Sequence, residues 1–481
     1  MMIFQRPKPR ACIRTGLIAI TALLIGMAAI TQQSLWMDEG GTAFRALMPT
    51  LDQWWKMLLH LSGSDVQMPL YMFLSWIWHH AGAMSEYALR AINLPWLVIA
   101  ALALRRVRFW PLVCLSSPFV LYYVGEFRPY AMQIAAGALA AAALGKIMSS
   151  KQPDKFEGLH ALCFACIFLI SSSLTGAVWA AGVALGAVVV RTEWLALKGF
   201  WLRVAPWLVP AAALGIYYGF TLLNGYRATE VRGAGILSIF FGFYEMAGLL
   251  GLGPSRNALR NNPAALIPWL GLLIPAGICI AVSWFIGVRS WVQSVSTRCA
   301  VAAICAAALP IVILGVIGLS QDFRVLGRHM SPAIPAALLP IAVSFSARAW
   351  RNFPGAVPAT LSVLFMAWSA LNLRFLERHE RDDVRQATEL AIAALAQGKR
   401  VFWQAEMHTA RYYAFRKGGF AMVNAIQPLE SDRPSSLLIA DMVIINRPEL
   451  RELGADYREK LERNFFKLER KFPGFEVWVA N

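Results

Sequence analysis

The sequence predicts a polytopic, all-α membrane protein of about eleven transmembrane helices, with further helices at the outer interface and a small soluble α/β domain at the C-terminus. Three observations predict it. Of 481 residues, 58% are hydrophobic and only 15% charged, and mean hydropathy is +0.51; ordinary soluble domains carry about 25% charge. Apolar runs long enough to cross a bilayer, about 20 residues each, recur as far as residue 373. Beyond about 378 the composition turns polar, with 17 basic and 15 acidic residues. A soluble enzyme, a disordered chain and a fibrous repeat are excluded. The net charge of +17 would suit nucleic acid only on a polar, solvated face, which this chain lacks.

The first run, near 15–32, follows Arg6, Lys8, Arg10 and Arg14. It is too long for the apolar core of a cleaved leader, so it reads as a retained span with its N-terminus in the cytoplasm. Further spans fall near 87–104, 109–125, 130–147, 159–174, 176–192, 202–223, 264–287, 299–319, 331–347 and 355–373. Alternating from inside, the cytoplasmic segments hold Arg105, Arg106 and Arg108, then Lys146, Lys151 and Lys155, then Arg191, Lys198 and Arg203, then Arg289 and Arg298, then Arg348 and Arg351. Those segments total 17 basic against 3 acidic residues, whereas the outer loops hold 11 and 10. The charge is thus an orientation signal, and an odd span count puts the C-terminus outside.

Pro69–Ala83 is apolar, aromatic and short. Read as a span it would invert everything after it, so it is expected to lie at the outer interface, where Trp76, Trp78, His79 and His80 suit the headgroup zone. Leu51–Leu61 and Ile236–Leu252 share this amphipathic character. The transmembrane domain is therefore 1–377, with a first outer loop at 33–86. The extracytoplasmic domain is 378–481. In it Arg381–Gln397 reads as a helix with Val384, Ala387, Leu390, Ala391 and Ala394 on one face. Arg400–Gln404 reads as a strand, His408–Phe415 as a helix, Ser436–Ile445 as a buried strand, Leu450–Arg463 as a helix and Phe475–Val479 as a strand. Such alternation suggests a mostly parallel sheet. The seven cysteines lie in or beside apolar runs, so Cys163 and Cys166 read as packing, not as a redox or metal pair.

Charged residues near membrane depth are costly, and each is a functional candidate. Asp38 and Glu39 sit just past the first span. A carboxylate there serves as a general base toward a hydroxyl or as a cation ligand; the plainer reading is a solvated pair at a helix end. Asp65, before Gln67, Pro69 and Tyr71, caps the following helix or joins the chemistry. Glu126, Arg128 and Tyr130 stand at the outer end of the third span, and Asp322, Arg324, Arg328 and His329 at that of the ninth. An arginine fork suits phosphate, with salt bridges between helix ends as the alternative. All these clusters fall on one side in this topology. Cations and a base facing one compartment fit transfer from a lipid-phosphate donor.

At these residues the chain resembles the GT-C glycosyltransferases, in the branch of protein O-mannosyltransferases and lipid A aminoarabinose transferases (glycosyltransferase family 39-like). The Asp38-Glu39 pair resembles the family's acid motif. Gln67-Met68-Pro69-Leu70-Tyr71 resembles its His/Lys-Pro-Pro-Leu-Tyr motif, with Gln67 and Met68 departing from it. Arg90 resembles the arginine of its Leu-Arg-Leu-Pro segment. Glu126-Phe127-Arg128-Pro129-Tyr130 resembles Gln-Glu-Ala-Arg-Pro-Tyr. Arg328-His329 through Pro335 resembles Arg-Tyr-Leu-Leu-Pro-x-x-Pro, with His329 in place of tyrosine.

The resemblance implies a glycosyltransferase that moves a sugar from a polyprenyl-phosphate-linked donor to a lipid, glycan or protein acceptor, on the outer face of the bacterial cytoplasmic membrane, with inversion. By that resemblance Asp38 is the base and Glu39 its orienting or acceptor-binding neighbour. Arg128, Arg328 and His329 hold the donor phosphate, supported by Asp65, Gln67, Tyr71, Arg90, Glu126 and Tyr130. A divalent metal, if any, would be held by Asp38, Glu39 and Asp65; no ligand spacing specifies one. Membrane lipids are partners and nucleic acid is not. The rival reading is a lipid-linked-sugar flippase or a non-catalytic component of polysaccharide assembly, but no internal repeat of the transporter kind is visible. The identity of sugar and acceptor and the role of the C-terminal domain are not encoded in these motifs.

Overall fold

The computed structural model describes residues 10–60, 64–150, 152, 156–224, 235–350, 353–405, 407–418, 427–428, 440–447 and 457–481. Each of the eleven apolar runs is helical. Among the described residues, seven helices are long and apolar enough to cross a membrane: Cys12–Ala29, Glu86–Ala103, Tyr130–Ser149, Lys198–Leu223, Pro263–Val292, Thr297–Ser320 and Ala356–Phe375. The chain is a multi-pass membrane protein. The other four runs form shorter or broken helices. Leu159–Ser172 and Leu174–Val190 are single helices. Run 109–125 divides into Trp110–Ser116 and Pro118–Val124. Pro118 offers no N–H and pushes Ser117 out of the helical region, to ψ 118°; the Ser117 hydroxyl then accepts from the Val120 N–H at 3.4 Å and caps the second piece. Run 331–347 is a 3₁₀ turn, Gly327–Ala333, leading into Ile334–Ser344. The stretches expected at the interface are helices too, at Leu51–His60, Pro69–His80 and Ile236–Met246.

By contact the chain separates into two compact units: Met1–Ile30 with Leu58–Leu74 and Arg90–His379, and Thr31–Met57 with Ser75–Leu89 and Glu380–Asn481. The first is the membrane unit. Its most enclosed long helix is Tyr130–Ser149, along which 13 positions are buried. At the other extreme, Leu202, Val209, Ile216 and Leu223 run seven residues apart down Lys198–Leu223 and are 66, 70, 74 and 90% exposed. A stripe of that size is tolerable only against lipid. Leu174–Val190 meets Thr297–Ser320 through small residues, as membrane helices do. A Cβ on Gly186 would stand 2.6 Å from the Ala302 carbonyl oxygen, so only glycine allows this approach. A short antiparallel pair, β1 (Arg348–Trp350) and β2 (Phe353–Pro354), also belongs to this unit. All seven cysteines are free.

The second unit carries a five-stranded sheet of β3 (Val401–Gln404), β4 (Gln427–Pro428), β5 (Met442–Asn446), β6 (Phe466–Phe472) and β7 (Phe475–Ala480), in the order β4-β3-β5-β7-β6. Strand β3 pairs in parallel with β4 and β5, but β7 is antiparallel to both β5 and β6. The mostly parallel sheet expected from the sequence is therefore mixed. The cause is a hairpin: Pro473-Gly474 turns the chain, with Gly474 at φ +76°, so β7 returns directly beside β6. Phe402, Val443, Ile445, Leu461, Phe466 and Trp478 form the core on one side. The Val384–Ala396 helix is capped by Asp383, whose carboxylate accepts from the Gln386 N–H at 3.1 Å. It buries Val384, Ala387, Thr388, Ala391 and Ala394. Thr388 takes the place expected of Leu390, because its hydroxyl donates to the Val384 carbonyl at 2.7 Å and so buries without loss. The helices at Met407–Gly418 and Tyr457–Arg463 fall where helices were expected. Residues 436–439 and 450–456 of the expected strand and helix lie outside the described residues, as do Arg6, Lys8, Lys151, Lys155 and Arg351.

Candidate functional site

Asp38 and Glu39 occupy the first turn of the Met37–Ala46 helix, where the unpaired N–H groups and the helix dipole favour negative charge. Trp36 precedes the helix in an extended conformation, and its N–H donates to Glu39 Oε2 at 3.3 Å. Arg381 Nη1 donates to the same oxygen at 2.8 Å. Glu39 is fully buried, while Asp38 is only half-buried. The helix packs against Met407–Gly418 through Gly40: a Cβ there would lie 1.9 Å from Thr409 Oγ1 and 2.4 Å from Thr409 Cβ. The rings of Phe44 and His408 lie 6.0 Å apart, tilted by 36°, on the same contact. Before the helix, the Leu35 N–H donates to the Tyr413 hydroxyl at 2.8 Å, and that hydroxyl donates to Glu86 Oε1 at 3.1 Å. Arg385 Nη1 reaches the same Glu86 oxygen at 3.0 Å, and its backbone N–H donates to Ser34 Oγ at 3.0 Å.

In the membrane unit, Asp65 and Arg128 form a buried ion pair, and Arg128 Nη2 also donates to Ser64 Oγ at 3.0 Å. The Asp65 carboxylate thus meets an arginine across 63 residues of sequence. Tyr71 is fully buried, and its hydroxyl donates to Asn93 Oδ1 at 3.2 Å. The Asn93 amide in turn donates to the Val124 carbonyl at 3.2 Å and to the Glu126 carbonyl. Arg90, Glu126 and Tyr130 are buried alongside, and the Tyr130 ring lies 4.9 Å from that of Tyr123. Gln67 is half-buried, its carbonyl accepting from the Tyr218 hydroxyl at 3.5 Å.

Arg328 and His329 open the 3₁₀ turn Gly327–Ala333. His329 Nδ1 accepts the Leu326 N–H at 3.0 Å, so a neutral ring carries its proton on Nε2, free to donate elsewhere. Desolvation, reinforced by Arg328, holds this imidazole below its usual range and keeps it neutral at physiological pH. Its carbonyl accepts from the Trp179 indole at 3.1 Å, which fixes the turn.

Several participants escape motif reading. Arg381 reaches the acid helix, and Arg385 and Tyr413 the segment just before it, from more than 340 residues away. Glu245, buried, forms a second ion pair in the membrane unit with the half-buried Arg256. Arg256 also donates to Tyr122 and Tyr123 hydroxyls at 3.0 and 3.1 Å and lies 4.4 Å above the Tyr122 ring. A lone acid ending the apolar stretch Ile236–Met246 was the available signal for it. Among the described residues no group of three or more His, Cys, Asp or Glu gathers to hold a metal. Glu39 and Asp65 are each paired with an arginine.

The backbone as a whole aligns with the crystal structure of ArnT from Cupriavidus metallidurans in the apo state, at TM-score 0.54 and 13% identity over 98% of both chains. It has the GT-C fold. ArnT from the same organism bound to undecaprenyl phosphate aligns at TM-score 0.47 and 12% identity, again over 98% of both chains. The arabinofuranosyltransferase AftD from Mycobacteria aligns at TM-score 0.43 and 12% identity, over 99% of this chain and 40% of that one. No protein-family model and no curated protein sequence matches the chain. At such low identity the GT-C fold is what is held in common, and the chemistry rests on the residues themselves.

Proposed function

We propose that the chain is a glycosyltransferase that moves a sugar from a polyprenyl-phosphate-linked donor to a hydroxyl-bearing acceptor on the outer face of the bacterial cytoplasmic membrane. The observation that carries this reading is Asp38: a half-buried carboxylate in the first turn of a helix directly behind the first span, in a chain with the GT-C fold. Asp38 takes the proton of the acceptor hydroxyl as its oxygen attacks the anomeric carbon. The bond from that carbon to the phosphate oxygen breaks on the opposite face, giving inversion, and its electron pair leaves with the polyprenyl phosphate. The added charge calls for fixed cations and donors; Arg328 and the Nε2–H of His329 are the proposed holders, with Arg128 beside its Asp65 partner. Gln67, Tyr71, Arg90, Glu126 and Tyr130 are the proposed supporting residues within the membrane unit.

The test is Asp38→Asn in the full chain. Loss of a positioned base costs about 10²–10⁴-fold in turnover, while binding of the donor lipid, measured with undecaprenyl phosphate as probe, stays within about threefold, a shift under 1 kcal/mol. Full transfer activity in Asp38→Asn and Asp38→Ala would remove Asp38 from the mechanism.

A further inference from the structure

We propose that a groove between the first turns of the Leu159–Ser172 and Lys198–Leu223 helices holds an anionic phospholipid of the cytoplasmic leaflet. Arg203 and His160 take its phosphate, and Phe164 and Trp207 lie against the start of its acyl chains. The site lies wholly within the membrane unit, at helix ends that the positive-inside pattern assigns to the cytoplasm. It does not depend on the transfer chemistry.

Two rows of residues spaced by four meet there. On the longer helix Gly199, Arg203 and Trp207 share one face. Phe156, His160 and Phe164 repeat the spacing opposite, with Phe156 just ahead of its helix. A Cβ on Gly199 would lie 3.4 Å from the Phe156 ring, so the two elements pack closely at this end. One turn further on, the Arg203 guanidinium stands 5.0 Å from the centre of the same ring. Another turn on, the Trp207 ring lies 6.4 Å from that of His160 and 6.5 Å from that of Phe164. Phe156 is buried and forms the floor, whereas His160, Phe164 and Arg203 are exposed and Trp207 is half-buried.

Arg203 is the residue that calls for a ligand. Among the described residues it makes no hydrogen bond and no ion pair, and its cation–π contact with Phe156 is the interaction that holds it. Glu157, beside Phe156 and itself exposed, does not pair with it. The aromatic face attracts the guanidinium but leaves its N–H fork available. A cation on a lipid-facing helix is costly without a counter-charge. A phosphate supplies one, and accepts two parallel charge-assisted bonds from the fork. Arg203 lies about 7.5 Å along the axis from Lys198, so its side chain reaches back to the headgroup layer.

His160 adds a second donor. The Trp207 indole N–H donates to His160 Nδ1 at 3.2 Å, so a neutral imidazole carries its proton on Nε2. Past these polar groups the groove is apolar. Phe164 is 51% exposed, and its ring stacks 6.0 Å from that of Phe168 toward the membrane centre. A free phosphate would satisfy the donors and leave these rings uncovered. A phospholipid covers both, and basic sites between helices on the cytoplasmic side suit anionic headgroups.

The test uses the detergent-solubilised full chain, titrated with dioleoyl phosphatidylglycerol or dioleoyl phosphatidylcholine, with bound lipid counted by native mass spectrometry. The parent should take up its first phosphatidylglycerol at least about fivefold more tightly than phosphatidylcholine, the change one cation near an anionic headgroup produces. Arg203→Gln should abolish that preference. His160→Phe, which keeps a ring and removes the donor, should weaken phosphatidylglycerol binding about threefold. Arg298→Gln, which removes an exposed arginine at the cytoplasmic start of Thr297–Ser320, should leave it unchanged. Equal uptake of the two lipids by the parent overturns the proposal. So does an equal fall in Arg203→Gln and Arg298→Gln, which would mark diffuse charge in place of a site. Displacement of the lipid by millimolar inorganic phosphate would mark a free-anion site and overturns it as well. Where Arg203→Gln does not accumulate, His160→Phe decides, and parental binding in that variant counts against the site.

Discussion

At the scale of single residues, the decisive property is which charges are already spoken for. Arg128 and Asp65 are 1% and 6% exposed along their side chains, so each depends on the other for its charge to be tolerated at that depth. Arg128→Met should destabilise the full chain by about 3–5 kcal/mol, because it leaves a carboxylate buried without its cation. Pairing it with Asp65→Leu should recover most of the loss, as buried pairs replaced by apolar groups often do. Thermal unfolding in detergent measures both, and a double variant no more stable than the single one would show that the pair is not what the site depends on. This residue-level logic was only half legible in the sequence. Asp38, Asp65, Arg128 and Arg328 stand out because charge beside apolar runs is conspicuous. Their partners do not stand out: Arg381 and Arg385 sit in a polar stretch where an arginine costs nothing, and Asp65 offered no sign that it would turn to Arg128 rather than cap the helix after it.

At the scale of elements, the apolar runs announced each of the seven described helices long and apolar enough to cross a membrane, because a bilayer imposes length and composition together. What they did not announce was interruption. Run 109–125 looks continuous in hydropathy, yet Pro118 divides it and Ser117 recaps it. The sheet was misjudged for a related reason. Strand β6 exposes most of its length, with charged residues at Lys467, Glu469, Arg470 and Lys471, and an edge strand of that kind carries too little apolar pattern to be seen. Helix against helix, Gly40 is the tightest point of the acid helix. Gly40→Ala drives a Cβ into Thr409 and should cost about 1–3 kcal/mol by overpacking, with a fall in transfer. The swap Gly40→Ala with Thr409→Gly should restore both. Stability and turnover unchanged by Gly40→Ala alone would mean that the helix contact is loose.

At the scale of the molecule, positive charge sets direction. The basic loops listed in order along the sequence all fall on one side if the first helix runs outward, which carries the C-terminal domain to the other side. A reporter active only in the cytoplasm, fused after Asn481, should stay silent, and one active only outside should respond; the reverse pattern would overturn the eleven-span arrangement. The GT-C fold was foreshadowed by short motifs in the right order, although 13% identity leaves nothing longer to compare. A buried arginine or a carboxylate at a helix start has few substitutes, whereas lipid-facing positions such as Leu202 or Val209 accept any large apolar side chain.

The pairing of Glu39 with Arg381 spans 342 residues, and this bears on how the protein is made. A ribosome adds about 5–20 residues per second, so the acid helix leaves it about 20–70 s before the arginine that completes it exists. For that interval every span behind it is being inserted while the helix stands without its clamp. A chain stalled before residue 381 therefore holds Glu39 without the arginine that pairs with it.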